Sequence, residues 1–366
     1  MAIMGRLRSF VPVGGSIIWE PSSGDEGDLR PVLGFTPQWY HKYAAVSLGE
    51  SWHRDPLYRY ESLVKMKTFL SRQFPGYGQF RLDFNEKGIE ESCATISAAY
   101  GIMAVPLAYG IPVIYGEDHW PEAKPGVYLS KEEIVKLKSF TPDDNPFLTE
   151  LLSQIETLYR TFGVARGSVN YQGILNIATK VYGQDIFYEF YDDPEFAAFL
   201  LEHIAGTMCM MAKAVQAKQR ELGWDTDQFV VSNCTMNMIS PDLYEKFILP
   251  LDMKISGQFN LFGMHTCNWD VTKYIPSIQK FIKMEYLDMG MVSDMKRVRD
   301  CFPSTRRAVI YSPGKLLTMS REELREEIKE IYESCGPCDL ILSGIDPNTT
   351  VDDVKAFLGI VKGLGV

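Results

Sequence analysis

The sequence predicts an α/β protein, a (β/α)8 TIM barrel with an N-terminal extension. Three observations lead there. From about residue 150 a strand-then-helix unit recurs at least six times with short connections. Repeated βα units with right-handed crossovers imply a parallel sheet. No Gly-x-Gly-x-x-Gly follows the first strand, so an open dinucleotide-binding sheet lacks its phosphate turn. A length of 366 residues suits one barrel unit.

Residues 1–366 are read as one barrel domain, irregular over 1–150 and regular over 150–366. Val11–Glu20 reads as a strand before a Gly/Ser/Asp loop at Pro21–Asp28. Thr36-Pro37 is an N-cap followed by Pro at N1, opening a helix from Gln38 towards Leu48. Asp55-Pro56 opens another, with Leu63, Met66 and Leu70 at helical spacing. Ile89–Met103 has no clear period, and Ile111–Tyr115 reads as a strand. Ser130-Lys131-Glu132-Glu133 is a capping box before a short helix.

Beyond that, strands are expected at Val164–Tyr171, Gln228–Cys234, Asn260–Cys267, Lys283–Met289, Arg307–Ser312 and Asp339–Leu342. The helices between them are Ile174–Tyr182, then Glu195–Leu222 after the Asp193-Pro194 cap, and a helix from Ser240-Pro241 to about Gly257. Val271–Phe281, Ser293–Cys301, a helix from the capping box at Ser320 and Val351–Leu364 complete the set.

Apolar content of 46% and charged content of 23% describe an ordinary globular protein. No apolar stretch reads as the roughly 18 residues of a membrane span, and the expected location is cytoplasmic. A net charge of −10 argues against nucleic acid and anionic membrane surfaces as partners. Seven cysteines with no export signal argue against a disulfide framework. Cys335-Gly336-Pro337-Cys338 has the spacing of a redox motif, but it follows a helix instead of opening one. Its Gly-Pro is more simply a helix stop.

In a barrel, functional side chains gather where strands end. The strand ends supply Tyr171 and Gln172, Asn233 and Cys234, His265 and Cys267, Asp288, Tyr311, Ser343 and Asp346. His265 and Cys267 stand at i and i+2, which share one face of a strand. An imidazole and a thiolate on one face are half of a tetrahedral zinc site. The bland alternatives are a small core residue at Cys234, loop caps at Asp288 and Asp346, and packing at Tyr171 and Tyr311. His41, His53 and His119 show no ligand spacing and read as loop or surface residues.

Several segments carry a family resemblance. They are Ile239-Ser240-Pro241-Asp242-Leu243-Tyr244-Glu245-Lys246-Phe247-Ile248-Leu249-Pro250, the His265-Thr266-Cys267 strand end, Tyr286-Leu287-Asp288 and Ile345-Asp346-Pro347-Asn348-Thr349-Thr350. In this order they resemble the uroporphyrinogen decarboxylase superfamily, which includes corrinoid-dependent methyltransferases. The site residues look most like the zinc-dependent branch of the methylcobalamin:coenzyme M type. There, His-x-Cys at this strand end binds zinc with a further Cys on the last strand. Here the last strand end carries Ser343, Gly344 and Asp346 instead. The expected metal ligands are therefore His265, Cys267 and Cys234, with Asp346 and Asp288 as further candidates.

The resemblance implies a corrinoid-dependent methyltransferase in which a zinc-activated thiol attacks a cobalt-bound methyl group. His265, Cys267 and Asp288 are the expected catalytic residues. Tyr171, Gln172, Asn233, Tyr311 and Asp346 are the expected substrate-binding residues. The implied cofactors are zinc and methylcobalamin or another corrinoid as co-substrate. The implied partners are a corrinoid protein or free cobalamin, a small-molecule acceptor and a second copy of the chain as a homodimer. Two alternatives stay open: a decarboxylase acting on a porphyrinogen or other carboxylated substrate, and a non-catalytic tetrapyrrole- or corrinoid-binding protein. The Arg-rich N-terminal signature and last-strand His of the true decarboxylases are absent from the sequence.

Overall fold

Six parallel strands form the central sheet: β1 (Leu29–Phe35), β2 (Gln228–Ser232), β3 (Leu261–His265), β4 (Tyr286–Gly290), β5 (Arg306–Tyr311) and β6 (Cys338–Ile345). Their order is β1-β6-β5-β4-β3-β2. The first strand therefore lies beside the last, with Cys338 opposite Leu29 and Ser343 opposite Gly34. A parallel sheet of this order, with helices between its strands, is the strand wall of a TIM barrel fold. This computed structural model describes residues 7–10, 18–21 and 27–364.

The arc between β1 and β2 is spanned by two extended segments, 94–97 and 164–172. Thr95 bridges Arg166 in parallel. The Arg166 N–H donates to Ala94 at 2.9 Å, and the Ser232 N–H donates to the Gln172 carbonyl at 3.1 Å. The strand expected at Val164–Tyr171 is thus not a regular one. Gly167 sits there at φ +84, where a Cβ would lie 2.1 Å from Ser97 Oγ. A left-handed residue pressed against its neighbour interrupts the ladder. On the other side of this seam, the Gln79 amide accepts from the Leu33 N–H and donates to the Leu33 carbonyl, at 3.3 and 3.2 Å. A side chain stands there in place of a strand.

Alternation fixes what faces the barrel interior. Val32, Val230, Tyr286, Ala308, Ile310 and Ile341 form one buried apolar cluster with Leu261 against it. At the N-terminal end of the strands, Arg30 and Arg306 both bond Asp339. At the C-terminal end the same parity presents Ser232, His265 and Asp288. The opposite parity, including Val309, Tyr311, Leu340 and Leu342, packs outward into the larger core. Each such aliphatic chain contributes about 1.5 to 3 kcal/mol.

The helices that cover the sheet start where the sequence marks them. They are α1 (Pro37–Ala44), α2 (Pro56–Gln73), α3 (Pro146–Phe162), α4 (Ile174–Val181), α5 (Pro194–Glu221), α6 (Leu249–Ser256), α7 (Met295–Cys301), α8 (Arg321–Cys335) and α9 (Val351–Gly363). Thr36 caps α1, Asp55 caps α2 and Asp193 caps α5. Ser130 and Ser320 form the expected capping boxes. By length and composition α5 is long and apolar enough to cross a membrane, which the sequence reading did not expect. In the fold, its Leu200, Leu201, Ile204, Met208 and Met211 are buried in the core.

Other departures have local causes. The helix expected from Ser240 to Gly257 breaks into Pro241–Leu243, a π-helical turn at Tyr244–Ile248 and α6. Pro250 has no N–H to continue the ladder. Val271–Phe281 shortens to Thr272–Tyr274 and Ile275–Ile278. Ile111–Tyr115 is only the edge of a small hairpin, Val113–Ile114 with Glu122–Ala123. Most of the strand expected at Val11–Glu20 and most of the following loop lie outside the described residues; Ile18–Pro21 pairs antiparallel with Leu7–Phe10. Cys335 and Cys338 are fully buried at the junction of α8 and β6.

Candidate metal centre

β3 and β4 put His265 and Asp288 on neighbouring strand ends, both facing the barrel interior. His265 Nδ1 lies 2.6 Å from Asp288 Oδ2. Asp288 is fully buried, and its Oδ1 accepts the Thr266 N–H at 2.7 Å. The Thr266 hydroxyl in turn donates to the Asp288 carbonyl at 2.7 Å. Asp288 thus clamps both the imidazole and the turn that follows it. With Nδ1–H donated to the carboxylate, the Nε2 lone pair points away from Asp288, as in a carboxylate–histidine–metal arrangement.

His265 Nε2 meets Cys267 Sγ at 3.0 Å, and Cys267 Sγ meets Cys234 Sγ at 2.9 Å. The sequence reading placed Cys267 by strand alternation. The strand instead ends at His265, and Cys267 turns back with φ +63. A non-glycine residue held in that region costs about 1 to 3 kcal/mol, and such strain concentrates at functional sites. Cys234 follows β2 by two residues and is gripped from both sides. The Asn233 N–H donates to the His265 carbonyl at 2.7 Å. The Thr235 N–H and hydroxyl donate to Asn176 Oδ1 at 3.1 and 2.7 Å.

Among the described residues, Cys234, His265 and Cys267 form the one group of three potential metal ligands. Their donor atoms lie within 4.8 Å of one another. Around a tetrahedral zinc, two sulfurs at about 2.3 Å stand about 3.8 Å apart, and a nitrogen stands about 3.5 Å from each sulfur. The cluster is a little tighter than that, so admitting the ion takes a small outward shift of each side chain. The donor set itself, one imidazole and two thiols, fits zinc. Asp288 has both oxygens engaged and serves the ring from behind.

The charges agree with a proton-sharing cluster. The Cys267 thiol donates to Cys234, and that bond holds the Cys234 thiol well below the usual range against the effect of burial. The same bond, with burial, pushes Cys267 up. Burial opposes the charged form of His265, but Asp288 and the two sulfurs together raise it well above its ordinary value. Lys180 on α4 is half-buried; burial lowers its pKa, while Cys234 and Glu122 act against the lowering.

The other expected site residues divide. Gln172, at φ +60, accepts from Asn176 Nδ2 at 2.9 Å and so supports the residue that holds Thr235. Asn233 turns its side chain away from the cluster, donating to Asp252 at 2.7 Å. The structure does not bring Tyr171, Tyr311 or Asp346 to the cluster. Tyr171 stacks on Phe229 in the outer core, ring centroids 5.3 Å apart. Tyr311 has the outward parity of β5 and donates to Glu327 on α8 at 2.6 Å. Asp346 caps its own turn, accepting the Asn348 N–H at 2.8 Å. His53, expected at the surface, is fully buried and accepts the Tyr100 N–H at 2.9 Å. Asn176, Thr266, Tyr286 and Asp252 were not expected from sequence. Tyr286, two residues before Asp288 on an inward-facing parity and with its hydroxyl donating to Asp288 Oδ2 at 3.3 Å, is the one whose position alternation could have given.

No curated protein matches the sequence. Among solved structures, a methyltransferase from Methanosarcina mazei superposes with a TM-score of 0.65 at 15% identity, covering 94% of this chain and 96% of that one. That likeness establishes the shared fold. The family model described as uroporphyrinogen decarboxylase (URO-D) matches residues 95–364. With the paired chain ends, the inward-facing His265–Asp288 pair and a match over most of its length, the chain belongs to the URO-D family.

Proposed function

We propose that this protein is a methyltransferase that passes a methyl group from a corrinoid to a thiol acceptor, with zinc held by Cys234, His265 and Cys267. The observation that carries the reading is the donor set: two sulfurs and one nitrogen converge at the barrel mouth, the nitrogen backed by Asp288. The likeness to a methyltransferase from Methanosarcina mazei supports the methyl-transfer part of that reading. Three protein donors leave one position of a tetrahedral site for an acceptor. Zinc bound there lowers the pKa of an acceptor thiol, so that thiolate is present at neutral pH. Asp288 fixes the His265 tautomer, and Thr266 fixes Asp288. Cys234 and Cys267 are half-buried, so a donor approaching the strand ends can reach them.

The test is thiol-dependent loss of methylcobalamin absorbance, with methylated thiol identified by mass spectrometry. The parent turns over; His265→Ala and Cys267→Ala are slower by roughly 100-fold. The family match favours one other reading, decarboxylation of a carboxylated substrate, in which the paired thiols have no role. Carbon dioxide release from uroporphyrinogen that survives Cys234→Ala and Cys267→Ala, with no methyl transfer, decides for it.

A further inference from the structure

We infer that Asp252, acting through Asn233, is a positioning residue that sets the place of the Cys234 sulfur. Asp252 lies on α6, outside the barrel wall, and is fully buried. Among the described residues no cation pairs with it. Its Oδ2 accepts from Asn233 Nδ2 at 2.7 Å and from the Tyr244 hydroxyl at 3.2 Å. Its Oδ1 has no hydrogen-bond partner. A buried carboxylate without a cation is costly, and an apolar side chain in its place would cost less. What Asp252 provides is an acceptor for Asn233.

Asn233 is the junction. Its main-chain N–H donates to the His265 carbonyl at 2.7 Å, its side chain donates to Asp252, and the next residue is Cys234. One residue therefore ties the two ligand-bearing strand ends to each other and to α6. Gly173 closes the remaining direction. A Cβ there would lie 2.5 Å from Asn233 Oδ1 and 2.6 Å from the Ser232 carbonyl, so the Asn233 amide is seated against a bare backbone. The π-helical turn at Tyr244–Ile248 brings the Tyr244 hydroxyl to the same carboxylate. His265 has Asp288 behind it; Cys234 has Asp252, one residue further removed.

The inference rests on the proposed metal site only for its second readout. The first is the rate at which iodoacetamide alkylates Cys234 in metal-free full-length protein, resolved by peptide mass spectrometry with Cys301 as internal reference. Asp252→Asn keeps an acceptor oxygen for Asn233; Asp252→Leu and Asn233→Ala remove the link. Cys234 is expected to react roughly tenfold faster in Asp252→Leu and Asn233→Ala than in the parent and Asp252→Asn, with Cys301 unchanged. The second readout is cobalt(II) affinity and its thiolate charge-transfer absorption. Affinity is expected to fall by roughly 10- to 100-fold in the same two variants and not in Asp252→Asn. If Asp252→Leu does not fold, Asn233→Ala carries the comparison. Equal Cys234 rates in the parent and Asn233→Ala overturn the inference. A parent that binds no cobalt but shows the expected alkylation pattern leaves this inference standing and removes the metal reading.

Discussion

At the scale of single residues, two buried carboxylates serve the cluster differently, and they make different predictions. Asp288 touches His265 directly. Asp288→Ala leaves all three ligands in place but loses the hold on ring and turn, so zinc should bind roughly 10- to 100-fold more weakly. Competition against a chromogenic chelator measures this, and affinity within threefold of the parent contradicts the orienting role. Asp252 carries a signature in stability. Burial raises its pKa to about 7, with Asn233 and Tyr244 acting against the rise. Between about pH 4 and 7 the folded protein holds a proton that the unfolded chain has released. Stability from this group is therefore present below about pH 4 and lost as pH rises through about 7. The full effect is on the order of a few kcal/mol. Asp252→Asn removes the titration, so its melting temperature should gain on the parent as pH rises from about 4 to 8. A difference that stays flat across that range contradicts the assigned cost.

At the scale of elements, the site is made where strands stop. β3 ends at His265, and the left-handed Cys267 then turns its sulfur back to the imidazole. β2 ends at Ser232, and Asn233 and Thr235 fasten the turn on either side of Cys234. α4 begins against that turn at Gly173, where any side chain meets the backbone of Ser232. Gly173→Ala should thus destabilise the protein by about 1 to 3 kcal/mol in chemical denaturation and loosen the Cys234 turn. Unchanged stability would show that α4 can move away without cost. Helix starts such as Thr36-Pro37, Asp55-Pro56 and Asp193-Pro194 were legible because a cap is written in adjacent residues. The helix after Ser240 was misread because Pro250 lies six residues beyond Tyr244 in sequence, and its effect is a widened turn instead of a stop. Tyr311 was placed at the mouth because strand ends were counted without parity. Ile310 faces inward and Tyr311 does not. The Asn233–Asp252 bond spans 19 residues and two layers, and no local pattern announces it.

At the scale of the whole molecule, the barrel separates its charges. Arg30, Arg306 and Asp339 meet at the N-terminal end of the strands. Apolar side chains fill the middle, and His265, Asp288 and the two thiols occupy the C-terminal end. β2, β3 and β4 are consecutive neighbours in the sheet, so residues at their ends meet although they are distant in sequence. The His265–Cys267 pair could be read from the chain, and Cys234 was the first choice for the third ligand because it ends a strand near that of His265. The irregular segments 94–97 and 164–172 between β1 and β2 could not, because Gly167 interrupts the ladder there and the Gln79 amide stands in for a strand. The measurement that tests the account most directly is metal content by mass spectrometry on protein made without a histidine tag. The account predicts about one zinc per chain in the parent and loss of that zinc in the His265→Ala, Cys267→Ala double variant and in Cys234→Ala. A parent with no zinc, or one whose zinc survives both sets of substitutions, contradicts it.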